Sequence, residues 1–275
     1  MSSEEKRDEI AAVVEPVFRG GPLWKRPAGK VLIIWVPMTI IGLLLAFFAP
    51  GHLFPENMSA EQEDVKTTFI LFTALAAPVA AVVWGIALYS IVGWRKKSGK
   101  SDTPPEDGPP IRGGTIATTI WLGTSVILVV VLLVWGMAEL SSELAPQQNA
   151  MQVNVTGQQW QWTFSYPGTG VTSTQLIVPE GRQIHFHVTS EDVTHGFWPV
   201  QLGVQIDANP NVTTLISATP NKLGTFDVRC SQICGLNHAY METTGTTVTQ
   251  AQFNAWLVSH GASATSVHSY AMSAK

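Results

Sequence analysis

Three long runs of the chain consist almost entirely of apolar side chains and contain no charged residue. They cover residues 31–49, 67–94 and 115–138. A helix of about 20 apolar residues crosses the hydrocarbon core of a bilayer, so each run predicts a transmembrane helix. Pro37 lies inside the first run, and membrane helices tolerate such a proline where neighbouring groups satisfy the freed backbone carbonyl. The first half of the chain is therefore predicted to cross a membrane three times.

The charges between the apolar runs predict how these helices are oriented. The N-terminal segment 1–30 and the linker 95–114 both carry a basic cluster beside an apolar run, whereas residues 50–66 are rich in acids. The clusters are Lys25, Arg26 and Lys30, and Arg95, Lys96 and Lys97. The positive-inside rule places both clusters in the cytoplasm, and the chain after residue 138 outside the plasma membrane. No small-residue cleavage site follows the first run, so we expect it to be retained as a helix.

From Met151 onward apolar and polar residues alternate, which is typical of half-buried β-strands. Strands are predicted over residues 151–156, 157–166, 175–178, 183–189, 212–218, 224–229 and 243–248. Short strands at such regular spacing indicate an all-β sandwich or barrel, here over residues 145–260. The spacing of Thr249 and Gln252 is that of a helix capping box and predicts a short closing helix. The Ser- and Ala-rich tail 261–275 is predicted to be disordered.

Two sets of side chains alternate along the predicted strands, so the members of each set share one face of a sheet. The sets are Trp160, Trp162, Phe164 and Tyr166, and His185 with His187. For Trp162 and Phe164 the favoured interpretation is an aromatic core. The two histidines could bind a metal, but histidines on strands are common without one, and a structural role is favoured.

The formal net charge of −4 is concentrated in the C-terminal part of the chain. From Glu139 onward there are eight acids and four basic residues, whereas the preceding part is balanced. A mildly acidic outer domain suits a basic protein partner through electrostatic steering, and it suits ordinary solubility equally well. The chain has no basic patch interleaved with aromatic residues, so nucleic acid is not an expected partner.

The only two cysteines, Cys230 and Cys234, lie within twelve residues of His238 and Met241. Thiolates, imidazoles and thioethers select copper, zinc or iron–sulfur clusters over hard cations. A structural zinc site would take four Cys or His ligands, and the thioether argues against it. A disulfide remains an alternative, although it leaves His238 and Met241 without a role. The three-residue gap excludes the Cys-x-x-Cys redox motif and the Cys-x-x-Cys-His haem attachment motif.

The run Cys-Ser-Gln-Ile-Cys-Gly-Leu-Asn-His-x-x-Met from Cys230 resembles the CuA-binding loop of cytochrome c oxidase subunit II. Residues 190–198 resemble the segment that provides a further histidine in that family, here His195. The resemblance implies a binuclear copper centre bridged by the two cysteine sulfurs. Its terminal ligands would be His195, His238, Met241 and the backbone carbonyl of Gln232. Asp192, three residues before His195, could hydrogen-bond near the site.

The resemblance also implies a fold and a function. The C-terminal domain would be a cupredoxin-like Greek-key domain anchored by the helices, and Trp160 would be the residue at which electrons enter. The chain would be a subunit of a respiratory cytochrome c oxidase that passes single electrons from an external donor to haem in subunit I. There O2 would be reduced to water, so haem is expected only in that partner. The donor would be a cytochrome c, a cupredoxin or a neighbouring complex, and other oxidase subunits would be partners.

The sequence departs from the family pattern in three places, and each departure limits which family properties can be expected of this chain. Most relatives have glutamate at the position of Gln232, whereas glutamine there resembles the B-type oxidases. A neutral amide is a poorer magnesium ligand than a carboxylate. A magnesium site is therefore not carried over. Thr118 stands where many relatives have an acid at the mouth of a proton path. The helix predicted over residues 31–49 is additional to the two helices usual in the family.

Two other functions remain open as alternatives. CuA-type subunits also occur in some nitric oxide reductases, and the absence of an acid at Thr118 is compatible with an enzyme that does not pump protons. A different class would be a copper-free, membrane-anchored β-sandwich that binds a partner through a disulfide-closed loop. Quinol oxidase subunits share the fold but lack the cysteine ligands, which disfavours that assignment.

Overall fold

The computed structural model describes Pro22, Trp24 and residues 27–93, 114–143 and 150–272. Within these ranges the chain forms two compact units. One comprises the chain up to Leu53 together with Phe69–Val134, and the other comprises Phe54–Thr68 together with the chain from Trp135 onward. Lys25, Arg26, the cluster Arg95–Lys97 and the linker up to residue 113 lie outside the described residues. The predicted orientation in the membrane therefore stays a prediction.

The three apolar runs form long helices. The helices are α1 Pro27–Phe48, α2 Pro50–Leu53, α3 Ala60–Gly93 and α4 Thr115–Glu143. Within the described residues, three stretches could cross a membrane by length and composition, namely Gly29–Phe48, Ala60–Ile91 and Thr118–Ser141. Trp35 of α1 donates its indole N–H to the carbonyl of Pro78 in α3 over 2.8 Å. A Cβ on Gly42 would lie 2.9 Å from the Cβ of Ala77, so small residues bring these helices together.

Helix α3 begins seven residues before the apolar run that predicted it. The Ser59 hydroxyl accepts a hydrogen bond from the backbone N–H of Gln62 over 3.0 Å, as a helix-capping serine does. Glu61 and Glu63 lie in the first turn, where the helix dipole favours negative charge. The capping serine and these acids extend the helix into the acid-rich segment that separates the first two apolar runs.

Residues 150–272, the described part of the C-terminal half, fold into ten strands arranged in two five-stranded sheets. The strands are β1 Met151–Gln158, β2 Gln161–Tyr166, β3 Val171–Ser173, β4 Leu176–Pro179, β5 Ile184–Ser190, β6 His195–Pro199, β7 Ile206–Ala208, β8 Thr214–Ala218, β9 Gly224–Cys230 and β10 Glu242–Val248. The sheet orders are β3-β2-β1-β5-β8 and β4-β10-β9-β6-β7. The pairs β1–β5 and β4–β10 are parallel, and the other pairs are antiparallel. The predicted fold class, apolar helices followed by a two-sheet β domain, is confirmed.

An aromatic cluster between the sheets forms the centre of the core. Trp162, Phe164 and Tyr166 are each at most 1% exposed. The ring of Phe197 on β6 lies 5.6 Å from that of Trp162 and 5.3 Å from that of Phe186. The core role predicted for Trp162 and Phe164 is therefore confirmed. Trp160 lies in the turn before β2, so it is not on the same strand as Trp162, Phe164 and Tyr166. Its side chain is half-buried.

The end of the chain is more ordered than its composition predicts. The capping box at Thr249 is present and starts α5 Gln250–Ser259, as predicted. A further helix, α6 Ala264–Met272, occupies most of the tail predicted to be disordered. Val267 and Tyr270 of α6 are buried against the core, and the Tyr270 hydroxyl donates to the carbonyl of Gln152. The two apolar side chains anchor a segment that is otherwise rich in small polar residues.

Candidate metal centre

Adjacent strands of the second sheet bring the predicted ligands to one edge of the domain. Strand β6 begins at His195 and pairs antiparallel with β9, which ends at Cys230. The loop 231–241 then returns to the sheet at β10. The N–H of Cys230 donates to the carbonyl of Met241 over 3.0 Å, and the N–H of Ser231 donates to the carbonyl of Gly196 over 2.9 Å. These two bonds close the base of the loop and tie it to the histidine strand.

The two thiols lie side by side, with Cys230 Sγ 3.7 Å from Cys234 Sγ, and both are free and buried. On one flank, His195 Nδ1 lies 3.9 Å from Cys230 Sγ. The carbonyl oxygen of Gln232 lies 3.1 Å from the same sulfur. The ligand atoms of His195 and the two cysteines all lie within 4.8 Å of one another. Among the described residues, this is the one group of three or more His, Cys, Asp or Glu side chains close enough to share a metal.

The other flank is formed by the end of the loop. His238 Nδ1 lies 3.6 Å from Cys234 Sγ, and Met241 Sδ lies 3.8 Å from the same sulfur. Met241 is 1% exposed, whereas His238 is half-buried. The structure thus brings together all six predicted ligand groups around the two sulfurs. Burial and the neighbouring Cys230 thiol raise the pKa of Cys234 to about 11, so a metal that binds here at neutral pH must displace a proton.

Asp192 fixes the orientation of the buried His195 ring. Its Oδ1 lies 2.8 Å from His195 Nε2, which leaves Nδ1 directed to the sulfurs. The carboxylate also accepts from the backbone N–H groups of Gln159 and Val193, over 2.8 and 2.7 Å. Partial burial works to raise the pKa of Asp192, but these hydrogen bonds lower it to about 2. Asp192 is thus a carboxylate at neutral pH and holds the proton on Nε2, so that Nδ1 presents a lone pair to a metal.

Two glycines allow the close packing around His195. A Cβ at Gly157 would lie 3.0 Å from the imidazole and 3.1 Å from Trp162, whose ring meets that of His195 edge-on. A Cβ at Gly196 would lie 2.1 Å from the Ser231 hydroxyl and 2.9 Å from the N–H nitrogen of Gln232. The sequence predicted neither role, because both contacts join residues far apart in the chain.

Trp160 packs against the metal loop from outside. A Cβ at Gly235 would lie 3.4 Å from the Trp160 ring. Gln159 beside it donates its side-chain N–H to the carbonyl of Cys234 over 2.6 Å, while its backbone N–H binds Asp192. Sequence reasoning missed Gln159, which connects the loop with the residue that orients His195. The loop itself exposes Ile233, Leu236 and Tyr240, which are 85%, 91% and 79% exposed.

His185 and His187 lie apart from this cluster, half-buried on β5. Between them is Gln152, whose side chain contacts His187 Nε2 at 2.5 Å and His185 Nδ1 at 3.5 Å. Burial and the neighbouring His187 lower the pKa of His185. An amide that bridges two imidazoles fits the structural role favoured for this pair.

Comparison with known proteins agrees with the geometry of the site. The family model described as "Cytochrome C oxidase subunit II, periplasmic domain" matches residues 169–248. Cytochrome c oxidase subunit 2 of Alkalihalophilus pseudofirmus is 27% identical over 226 residues, which cover 78% of this chain and 65% of that protein. The same subunit of Thermostichus vulcanus is 24% identical over 280 residues, which cover 81% and 84%.

Among solved structures, the chain is similar to the periplasmic domain of cytochrome oxidase subunit II of Bradyrhizobium japonicum. That match has 27% identity and a TM-score of 0.39, and it covers 42% of this chain and 96% of that domain. The cluster of His195, Cys230, Cys234 and Met241 is consistent with a CuA-type copper site. Three candidate membrane spans precede the domain that carries it. Residues 169–248 therefore match the periplasmic domain of cytochrome c oxidase subunit II, and the chain as a whole is similar to such subunits.

Proposed function

We propose that this protein is the electron-accepting subunit of a haem–copper terminal oxidase and that its outer domain holds a binuclear CuA centre. The observation that carries the proposal is the pair of sulfurs 3.7 Å apart, each with one imidazole Nδ1 on its own flank. A single metal ion would need one convergent set of ligands. Here each flank offers its own imidazole and one weaker donor, the Gln232 carbonyl on one side and the Met241 thioether on the other. This arrangement supports two metal positions that share the sulfurs.

The donor set favours copper over the alternatives. It contains two thiols, two imidazoles, a thioether and a backbone carbonyl, and among the described residues no carboxylate joins this set. Soft sulfur ligands suit copper, and a neutral thioether is a poor replacement for the fourth Cys or His of a structural zinc site. The thiols are free, so the loop as described is not closed by a disulfide. These residues disfavour a copper-free β-sandwich, and the thiols disfavour a quinol oxidase.

When bound, such a copper pair supplies a one-electron carrier whose charge is shared over two ions. The contribution of the protein is to keep the ligands fixed. His195 is 0% exposed and is locked by Asp192, Gly157 and Trp162. Cys230 lies at a strand end. The side-chain N–H of Gln159, which donates to the Cys234 carbonyl, and the backbone N–H of Ser231 hold the loop backbone. A rigid set of ligands reduces the rearrangement that each electron transfer requires.

In the proposed path electrons reach the centre from outside and leave it for haem in subunit I, where O2 is reduced to water. The donor would be a cytochrome c, a cupredoxin or a neighbouring respiratory complex. The outer domain would lie on the extracytoplasmic side of the plasma membrane, with the N-terminus in the cytoplasm, as the charge pattern predicts. Haem would be held by the partner subunit, as the resemblance implies. The chain has no Cys-x-x-Cys-His motif, so no covalent haem c would be attached to it.

Copper titration of the full chain in detergent tests the proposed centre. We expect the reduced protein to bind two copper ions and to show an electron paramagnetic resonance signal shared over two nuclei. Uptake of one ion with a single-nucleus spectrum would contradict the binuclear centre. Failure to bind copper, with no free thiol, would indicate the disulfide-closed alternative. Activity of the intact complex with O2 against nitric oxide then separates the oxidase from a nitric oxide reductase.

Trp160→Phe tests where electrons enter. Trp160 contacts Gly235 of the metal loop but offers no ligand, so we expect the variant to keep its copper and its spectrum. The rate of reduction of the centre by its donor should fall by roughly tenfold or more, a change that corresponds to about 1.4 kcal/mol in the barrier. Stopped-flow absorbance measures that rate. Trp256→Phe, on α5, is the matched control and should leave the rate unchanged. Loss of copper from Trp160→Phe would show that Trp160 has a structural role instead.

A further inference from the structure

The chain between the first two long helices is built into the β domain. Residues 54–68 belong to the same compact unit as the two sheets. Met58 is 2% exposed and is part of the hydrophobic core of that domain. A Cβ at Gly224, the first residue of β9, would lie 3.5 Å from the terminal methyl of Met58. Met58 therefore fills a core position although it is separated from β1 by two long helices in the sequence.

Backbone hydrogen bonds hold this segment like a short added strand. The N–H of Met58 donates to the carbonyl of Gln201 over 3.2 Å, and its carbonyl accepts from the N–H of Asn221 over 3.0 Å. Ser59 forms an isolated antiparallel bridge with Pro220. The N–H of the next residue, Ala60, donates to the carbonyl of Thr219 over 3.3 Å. The segment is thus paired with the domain on both sides.

Side chains of the same segment complete the contact. The hydroxyl of Ser59, which is 0% exposed, donates to the carbonyl of Leu202 over 2.7 Å. The Glu61 carboxylate accepts from the N–H of Thr219 over 2.8 Å. Gln62 is 4% exposed and lies over Gly203, which has a φ of 69°. A Cβ at Gly203 would lie 2.4 Å from Gln62 Oε1 and 2.6 Å from Gln62 Cα, so only glycine leaves room for the segment.

The surface that receives residues 58–62 lies at the far ends of the two ligand strands. Gln201 and Leu202 belong to the turn that follows β6, the strand that starts with His195. Thr219 and Asn221 belong to the turn that precedes β9, the strand that ends with Cys230. Residues 58–62 therefore bridge the ends of β6 and β9 that lie opposite the metal ligands.

We infer that residues 58–62 are a positioning segment of the copper domain, which is therefore discontinuous in sequence. The segment clamps the ends of β6 and β9 and thereby keeps His195 and Cys230 in register at the other edge. The docking itself does not depend on copper, and only its effect on metal retention rests on the proposed function.

Hydrogen exchange of the copper-free full chain in detergent tests the docking. In the parent protein, we expect the amides of Met58, Ala60 and Asn221 to exchange as slowly as those of β9. Met58→Ser should speed exchange by at least about tenfold both at 58–60 and at 219–221, because the two segments protect each other. Ser59→Ala, which deletes the two hydrogen bonds of the hydroxyl with Leu202 and Gln62 but little packing, should do so more weakly. Glu56→Gln is the control, since it removes only the exposed ion pair with Lys222.

Copper retention tests the positioning role. In Met58→Ser and Ser59→Ala, release of bound copper to a chelator should be several-fold faster, with an unchanged spectrum of the copper that remains. Exchange at residues 58–60 as fast as in an unfolded peptide in the parent protein would overturn the docking. Faster exchange with unchanged copper release would overturn the positioning role. Because hydrogen exchange is measured without copper, it tests the docking of residues 58–62 even if the protein fails to bind the metal.

Discussion

Cys230→Ser should remove the shared-valence copper signal and, with it, electron transfer through the outer domain. A serine hydroxyl is a hard, weakly acidic group that cannot bridge two copper ions as a thiolate does. The expected loss of copper affinity exceeds about 100-fold, since changes to groups that merely orient ligands already cost 10–100-fold. His238→Ala should abolish the shared signal as well, because it deprives Cys234 of the imidazole 3.6 Å away. Copper content, electron paramagnetic resonance and donor-driven reduction measure these losses.

The control for the cysteine variant is Ser231→Ala, which changes the adjacent residue without touching a ligand. It should bind copper normally. Circular dichroism and thermal unfolding of the copper-free proteins should be nearly the same for Cys230→Ser and the parent, because sulfur and oxygen occupy similar space at this site. A Cys230→Ser protein that still binds two copper ions with a shared spectrum would refute the proposed bridge.

Gly196→Ala is expected to damage both the fold and the site through a single methyl group. The new Cβ would lie 2.1 Å from the Ser231 hydroxyl and 2.9 Å from the backbone nitrogen of Gln232. The hydrogen bond from the N–H of Ser231 to the carbonyl of Gly196 prevents the two segments from separating freely. We expect the free energy of unfolding of the outer domain to fall by about 1–3 kcal/mol, as for other overpacked sites. Copper affinity should fall as well, because the loop moves away from His195.

A double variant identifies the contact responsible. Ser231→Gly removes the hydroxyl nearest to the new methyl group but leaves the backbone of Gln232 in place. Gly196→Ala combined with Ser231→Gly should therefore recover part of the lost stability, and urea unfolding of all four proteins gives the coupling energy. If the double variant is no more stable than the sum of the single changes predicts, the Ser231 contact is not the cause.

Local patterns predicted most of the architecture. Apolar runs located the long helices, alternation located strands such as Met151–Gln158, and the capping box at Thr249 located α5. Strand β6 was not predicted, because both of its faces are buried and its sequence does not alternate. Helix α6 was missed because two buried side chains, Val267 and Tyr270, outweigh a composition that is otherwise typical of a disordered tail. Such contacts depend on the tertiary structure and leave no periodic signal.

The metal centre, too, could be predicted from the sequence only in part. Four of its ligand side chains lie in one stretch of twelve residues, and their spacing alone indicated a metal loop. His195 required the family resemblance, since its distance in sequence from Cys230 says nothing about their proximity. Gln159 and Gly196 could not be predicted, because each acts on a loop at least thirty-five residues away. The antiparallel pairing of β6 with β9 makes Gly196 a neighbour of the loop, and Gln159 reaches it from the turn between β1 and β2.

The order of the second sheet has a consequence for biogenesis. Strand β4 has only β10 as its neighbour in that sheet, and Leu176 pairs with Gly245, far along the chain. Contacts between such distant segments form late and slowly, because a long loop must close first. The cysteines lie just before β10, so they remain accessible until that strand pairs with β9 and β4. Metal binding at the proposed copper centre would therefore be coupled to the pairing of the last strand, since the thiols stay open until then.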